Sequence, residues 1–358
     1  MRIAHLGLRG SGKTTLFNAV ADTPVSVPAG GLQSETHVQV IKVKDARLER
    51  CRELFQPKKY TLAGMEIWDP PGLPPGTSEA DKERRTRLLA SLREADAYVI
   101  VVRGFTSDLY PYERPKADPL ADLKQVVDEL LTADFVTTET RVTKLRGNVQ
   151  KKAKSLEEDK LELSVLERCL ERLEAGKDLG GLELSEPDAK RIRGFQLFAR
   201  KPFLALFNGG GAPPAGFGQG LGLPMRGTIA IDAQIEAEVA AMDPADRPSF
   251  LKEFGLDEPA ASRFVHEVYR AVGLRSFFTV GEDEVRAWTI HAGDSAHIAA
   301  GKIHTDLAKG FVRAEVFAYD ELQAAGGMRE LKAKNGVRLE PKDYVVKDGD
   351  IVHIRSAV

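Results

Sequence analysis

An apolar run, Ile3-Ala4-His5-Leu6, leads into Gly7-Leu8-Arg9-Gly10-Ser11-Gly12-Lys13-Thr14-Thr15, and a helical pattern opens directly behind it at Leu16-Phe17. No other stretch restricts the fold as much, because G-x-x-x-x-G-K-[ST] between a strand and a helix is the phosphate-binding loop of α/β nucleotide-binding domains. Gly7, Gly10 and Gly12 let the backbone take positive φ and approach an anion, so that N–H groups point at phosphate oxygens. The helix behind them adds its positive end. Lys13 is placed to neutralise β- and γ-phosphate charge, the Thr14 hydroxyl to replace one water of Mg²⁺, and Thr15 and the backbone of Ser11 to hold the α- and β-phosphates. A glycine-rich turn that binds nothing is the other reading, and the flanking strand and helix count against it.

A chain of 358 residues exceeds the size at which a single core stays undivided, so two or three domains are expected. The formal charge of −2 argues against nucleic-acid binding through overall charge and leaves a local basic face open. The two cysteines, Cys51 and Cys169, lie beside charged residues in separate helix-like stretches and read as reduced, which suits the cytoplasm. No basic-then-apolar leader precedes Ile3 and no run of about 18 apolar residues occurs, so neither secretion nor a membrane span is expected. The histidines, His5, His37, His266, His291, His297, His304 and His353, form no metal-ligand pair at helical spacing and read as packing or surface residues.

Behind the loop the helix continues to Pro24. Residues 24–36 lack periodicity; they are either a switch loop reaching back to Mg²⁺ through a hydroxyl or a plain surface loop. Val38 to Val43 alternates as a strand and Ala46 to Phe55 as a short amphipathic helix. Met65 to Trp68 runs into Asp69-Pro70-Pro71-Gly72. In this D-x-x-G the Asp can hold Mg²⁺ through a water and the Gly N–H can meet the γ-phosphate, although Asp-Pro-Pro-Gly is also a good turn. Leu73 stands where a water-positioning Gln would commonly sit. Ala97 to Val102 is the continuous apolar run of a strand covered on both faces. From Pro119 to about Gly176, stripes at Val142, Leu145, Val149 and Leu156 and at Leu166, Leu170 and Leu173 predict two long helices packed as a hairpin. Ser185-Glu186-Pro187-Asp188 caps another helix. Phe203 to Asn208 returns to strand character, which makes the hairpin an insertion, and Thr228 to Ile231 is the next strand. From Phe277 the pattern becomes short strands around one helix, closing with a strand pair, 343–346 and 351–354, about the turn Lys347-Asp348-Gly349-Asp350.

Segments spread over nearly the whole chain resemble the YchF-type Obg-like ATPases: residues 10–19 (Gly-Ser-Gly-Lys-Thr-Thr-Leu-Phe-Asn-Ala), 150–154, 284–290 (Glu-Val-Arg-Ala-Trp-Thr-Ile), 300–306, 309–314 and 343–350. The last three also resemble the TGS domain, a module shared with threonyl-tRNA synthetases. The resemblance implies an α/β protein with a P-loop NTPase (G-protein-like) domain over 1–134 and 196–276. It also implies an inserted α-helical hairpin, coiled-coil-like, over 135–195 and a C-terminal α+β β-grasp (TGS) domain over 277–358. A cytoplasmic regulator that binds ribosomes, with no membrane or DNA partner, follows from the same likeness. The chain departs from the family at its site. Where the family's loop usually reads Pro-Asn-Val-Gly-Lys-Ser, Arg9 here brings a long cation within reach of a γ-phosphate. The switch-loop Thr falls on Ser34 counted forward and on Gln33 counted back from the next strand. The family's Asn-x-x-Glu becomes Asn208-Gly209-Gly210-Gly211. A loop histidine used in hydrolysis has no counterpart between Gly104 and Pro119, where Tyr110 and Tyr112 stand.

The resulting expectation is a slow, Mg²⁺-dependent nucleoside triphosphatase taking ATP or GTP. Lys13, Arg9, Asp69 and Gly72 serve the chemistry. Gly7, Gly10, Ser11, Gly12, Lys13, Thr14, Thr15 and Asn208 hold the nucleotide, and Thr14, Ser34 and Asp69 hold the metal. Arg9 acts as a finger in cis or pairs with a nearby carboxylate. A non-hydrolysing nucleotide-binding scaffold and a P-loop kinase of a small metabolite are the alternatives.

Overall fold

The structure is a computed structural model that describes residues 1–21, 33, 35–74, 76, 78–107, 112, 116–151, 156–243, 245–253 and 259–357. In chain order, β1 (Arg2–Leu6), α1 (Lys13–Val20), β2 (His37–Val43), α2 (Ala46–Phe55), β3 (Lys59–Thr61), β4 (Ala63–Asp69), α3 (Glu79–Leu92) and β5 (Ala97–Arg103) come first. Next are α4 (Pro119–Gln150), α5 (Leu156–Glu174), α6 (Glu186–Ile192), β6 (Phe203–Asn208), β7 (Met225–Ile231), α7 (Ala233–Ala241), α8 (Arg247–Glu253) and α9 (Ala260–Ala271). The C-terminal part holds β8 (Leu274–Thr279), β9 (Glu284–His291), α10 (Ala296–Ile303), α11 (Thr305–Lys309), β10 (Phe311–Ala318), α12 (Tyr319–Ala325), α13 (Met328–Ala333), β11 (Arg338–Glu340) and β12 (Asp350–Ser356). Two compact units result: Met1–Val40 with Glu66–Phe264, and Ile41–Met65 with Val265–Val358.

The first unit is built on the order β2-β4-β1-β5-β6-β7. β1 pairs in parallel with β4 and β5, β5 with β6, and β6 with β7. Every residue of β5 and of β6 is buried, as continuous apolar runs require when a sheet is covered on both faces. Parallel strands put their carboxyl ends on one edge, so Gly7, Asp69, Arg103 and Asn208, each at the end of a strand, converge there. The predicted hairpin is α4 and α5. Val142, Leu145, Val165, Leu166, Cys169 and Leu173 are buried along it, and Arg141–Glu162 at 2.7 Å and Arg146–Glu167 at 2.8 Å bridge its two helices. Asp118 caps α4 ahead of Pro119, and Ser185 caps α6 ahead of Pro187, each accepting a backbone N–H of the first turn. The helix α7 was not anticipated from its sequence; Asp232 starts it by accepting from Gln234 and Ile235 N–H.

The second unit carries a mixed sheet in the order β11-β10-β12-β8-β9-β3. β8 and β9 form an antiparallel pair, β10 runs antiparallel to β11 and β12, and β12 runs parallel to β8. Phe277, Ile290, Val316 and Val352 pack with Ala296, Ala299 and Ala300 of α10. Residues 41–65, read from sequence as part of the nucleotide-binding domain, group here because β3 adds a parallel strand to β9, pairing Lys59 with Glu284 and Thr61 with Arg286. Thr61 Oγ1 donates to Glu284 Oε1 at 2.6 Å, and Arg47 reaches Asp348 at 2.8 Å. The expected strand pair around residue 348 is corrected. Residues 343–346 form no strand beyond a single Ser295–Val345 bridge, because Asp350 gathers Tyr344 Oη and Lys347 N–H, both at 2.8 Å, into a turn. β12 pairs with β10 and β8 instead, and four helices stand where one was expected.

Candidate functional site

The loop after β1 takes the conformation that its glycines allow. Gly10 and Gly12 lie at φ 77° and 89°, in the left-handed region that costs any other residue steric strain. Gly12 is also the N-cap of α1 and supplies no capping side chain, which leaves the first-turn N–H groups open to an anion. Lys13 is buried, and its Nζ donates to the carbonyls of Gly7 at 3.3 Å and Leu8 at 3.2 Å. Asn208, buried at the end of β6, donates to Ser11 O and accepts from Ala233 N–H, both at 3.0 Å, and so ties the phosphate loop to the start of α7. Gly209, Gly210 and Gly211 follow it with no side chain to read a base. Thr15 sits in the first turn of α1.

Asp69, at the end of β4, is completely buried. Burial pushes its carboxyl above the usual range against the pull of Lys13, the Thr14 hydroxyl and His37. Thr14 Oγ1 donates to Asp69 Oδ2 at 2.8 Å. Behind it, Leu73 N–H donates to Gly7 O at 3.1 Å and Leu73 is buried, so an apolar core contact fills the place where a water-positioning side chain was looked for. Gly72 passes close over the loop: a Cβ there would lie 2.8 Å from Arg9 Cα and 3.2 Å from Lys13 Nζ, which restricts this position to glycine. Arg9 is exposed and has no hydrogen-bond or ion-pair partner among the described residues, so the carboxylate pairing weighed from sequence does not occur among them.

Ser34 and Tyr110 lie outside the described residues. Gln33 is the switch-loop side chain found at the site: its Oε1 is 3.3 Å from Thr14 Oγ1, and its Nε2 donates to the carbonyls of Asp69 at 2.6 Å and Glu35 at 3.0 Å. His37, read from sequence as an ordinary residue, has Nδ1 3.6 Å from Asp69 Oδ2; no spacing rule announces it, because β4 brings Asp69 to it. His5 is fully buried beside Phe17 and Phe264. Its pKa is lowered to about 3, by burial first and then by the charge of Lys13, so it is neutral at pH 7.

Among the described residues, four buried polar atoms here have no hydrogen-bond partner: both ring nitrogens of His5 and two oxygens, Asp69 Oδ1 and Ser11 Oγ. Orphaned buried acceptors are costly. Asp69 Oδ1 and Thr14 Oγ1 are hard oxygen groups that fit Mg²⁺ carried in by phosphates, and Ser11 lies in the loop ahead of the helix N-terminus. Among the described residues no three His, Cys, Asp or Glu gather into an all-protein metal cage.

A family model, YchF-GTPase_C, described as "Protein of unknown function (DUF933)", matches residues 274–357. The chain is similar to the ribosome-binding ATPase YchF of Bacillus subtilis, 34% identical over 99% of this chain and 98% of that protein. It is likewise similar to the ribosome-binding ATPase YchF of Escherichia coli O157:H7, 35% identical over 97% of each. The chain belongs to the YchF family. The structure of the Schizosaccharomyces pombe YchF GTPase has the same fold, with a TM-score of 0.77, 24% identity, and coverage of 99% of this chain and 97% of that one. The fold match and the family model over residues 274–357 agree with an α/β P-loop fold followed by a C-terminal domain. Among the described residues no helix is long and apolar enough to cross a membrane.

Proposed function

We propose that this YchF-family protein is a Mg²⁺-dependent nucleoside triphosphatase switch that binds ATP or GTP on residues 7–15 and engages the ribosome according to the nucleotide held. The observation that carries this reading is the 2.8 Å bond from Thr14 to buried Asp69 beside Lys13, with Asp69 Oδ1 and Ser11 Oγ lacking hydrogen-bond partners among the described residues. Phosphate and its metal are the ligands that satisfy all of these groups together. Gly7, Gly10 and Gly12 shape the loop, the first-turn N–H groups of α1 take phosphate oxygens, and Ser11, Thr14 and Thr15 add hydroxyls. Thr14, Asp69 and the switch loop at Gln33 or Ser34 hold the metal. When bound, Mg²⁺ neutralises charge on the β- and γ-phosphates. Gly72 N–H senses the γ-phosphate, and Arg9, exposed and without a partner among the described residues, swings onto it as charge develops. With Leu73 buried, no side chain there orients water, so hydrolysis is slow without a partner.

The names of the relatives, ribosome-binding ATPases, support ATP as a substrate and the ribosome as partner, and a cytoplasmic setting follows from that partner. The mixed sheet around α10 supports the β-grasp, TGS-like reading of the C-terminal unit. Calorimetric titration with ATP, GTP and their diphosphates, with and without Mg²⁺, together with phosphate-release assays, tests the proposal. Tight Mg²⁺-linked binding that Lys13→Ala abolishes, with slow phosphate release, is the expected result. Binding without any release favours a scaffold, and a phosphorylated small metabolite favours a kinase.

A further inference from the structure

A phosphate loop works only if its N–H groups face inward, and turning them inward turns its carbonyls outward, where each needs a donor of its own. Here five of the loop's carbonyls have a donor. Lys13 Nζ serves Gly7 and Leu8, Asn208 serves Ser11, and Leu16 N–H serves Gly12 at 2.9 Å. The Gly10 carbonyl accepts from Arg103 Nη1 at 3.1 Å. The same peptide is held at its other end, because Ser11 N–H donates to Leu8 O at 3.3 Å. The Gly10–Ser11 peptide plane is therefore clamped on both sides, immediately before the left-handed Gly12 that opens α1.

Arg103 belongs neither to the glycine-rich motif nor to the D-x-x-G. It comes from the end of β5 and is only 3% exposed. Its Nε donates to Phe105 O at 3.1 Å while Nη1 reaches Gly10, so one planar fork spans two backbone segments. The guanidinium carbon stands 4.3 Å from the Phe105 ring centre and 4.7 Å from that of Tyr112, and Tyr112 Oη donates to Asp122 Oδ2 at 2.6 Å in the first turn of α4. Stacking between two rings with two divergent donors is guanidinium geometry that an ammonium cannot copy. Burial lowers the Arg103 pKa from a very high starting value, and the group stays charged.

We infer that Arg103 is a positioning residue for phosphate binding: it holds the Gly10 carbonyl outward, and so keeps the N–H groups of Gly12, Lys13 and Thr14 aimed at the β-phosphate. The inference rests on the nucleotide-binding reading above and adds a residue outside both motifs. It is tested on the full chain with Arg103→Met, which fills the slot without donors, and Arg103→Lys, which keeps the charge without the fork. Three quantities are measured: the Kd for Mg·ADP, the unfolding midpoint without nucleotide, and ADP-induced protection of amide hydrogens. Both variants are expected to bind ADP about tenfold more weakly. Protection is expected to be reduced over residues 7–14 and kept over 208–235, with midpoints lowered in both variants because the Gly10 and Phe105 carbonyls lose a buried donor. Wild-type affinity in Arg103→Lys means that charge alone suffices and overturns the inference, as does unchanged affinity in both variants. So does protection lost equally at 208–235, which marks a general structural role. A wild-type chain that binds no ADP overturns the nucleotide reading itself, and this inference with it.

Discussion

Burying a carboxylate at the end of β4, a histidine on β1 and a lysine at the start of α1 gives individual side chains at this site measurable signatures. His5 is neutral in the native state with its pKa at about 3, whereas in the unfolded chain it titrates near its ordinary value of about 6.5. Between those values the unfolded state binds a proton that the native state refuses, so stability rises with pH across the window and is lost as pH falls from 6.5 toward 3. At pH 5 the loss from this residue is about 2 kcal/mol. Asp69, raised by burial, acts with the opposite sign, so a comparison isolates His5. Urea unfolding at pH 7 and pH 5 is expected to show a smaller acid loss in His5→Leu than in wild type, and equal losses would remove His5 as the cause. At Thr14 the hydroxyl donates to Asp69 and is proposed above to hold the metal. Thr14→Ala is expected to erase the difference between nucleotide affinities measured with Mg²⁺ and with chelator. Arg9→Ala, by contrast, should lower phosphate release at least tenfold, about 1.4 kcal/mol of barrier, with affinity within a few fold. Unchanged release assigns Arg9 no part in turnover.

Among the elements, α4 carries the hairpin, and its anchorage is polar and buried. Asp134 on α4 is fully buried, accepting from Arg93 at 2.7 Å and from Ala199 N–H at 2.8 Å, while the Arg93 guanidinium lies 4.6 Å from the Phe198 ring centre. Removing one member of such a pair strands the other's charge. Asp134→Ala should therefore cost about 3–5 kcal/mol in denaturant unfolding, and a cost under about 1 kcal/mol would mean that the cation finds water there. The loop between β6 and β7 shows the reverse case, a group omitted. Guanine selectivity rests on a carboxylate accepting two hydrogen bonds, and Gly211 offers none, so calorimetry should find GTP preferred over ATP by no more than about tenfold.

For the whole molecule, a near-neutral balance of −2 makes general attraction to RNA weak, and binding must come from local faces. In the C-terminal unit Arg338 is engaged by Glu321 at 3.0 Å and Glu340 at 3.4 Å, whereas Arg329, Lys332, Lys334 and Lys342 are exposed. Co-sedimentation with ribosomes is expected to be stronger with a non-hydrolysable triphosphate than with diphosphate, and Lys13→Ala should remove the difference. Reversing Lys332, Lys334 and Lys342 to Glu should weaken pelleting in both states. Charge reversal is a cleaner probe than deleting the C-terminal region, because deletion takes β9 away from β3. Pelleting that ignores nucleotide and these lysines alike would turn the reading toward a scaffold.

What sequence alone settled here is local in origin. The strand, glycines, Lys13 and helix of the phosphate loop are contiguous, the apolar runs of β5 and β6 are long enough to declare burial on both faces, and the caps at Ser185 and Pro187 are written within one turn. The tertiary structure decided whatever depends on residues far apart in the chain. β3 is three residues long, too short to carry a period, and exists because β9 offers it an edge. Residues 343–346 have strand-like composition, yet Asp350 claims their polar groups for a turn. Arg103 and His37 are unremarkable in sequence and become part of the site only because parallel strands end on one edge and deliver Gly10 and Asp69 to them, while counting alone left Gln33 and Ser34 as alternatives.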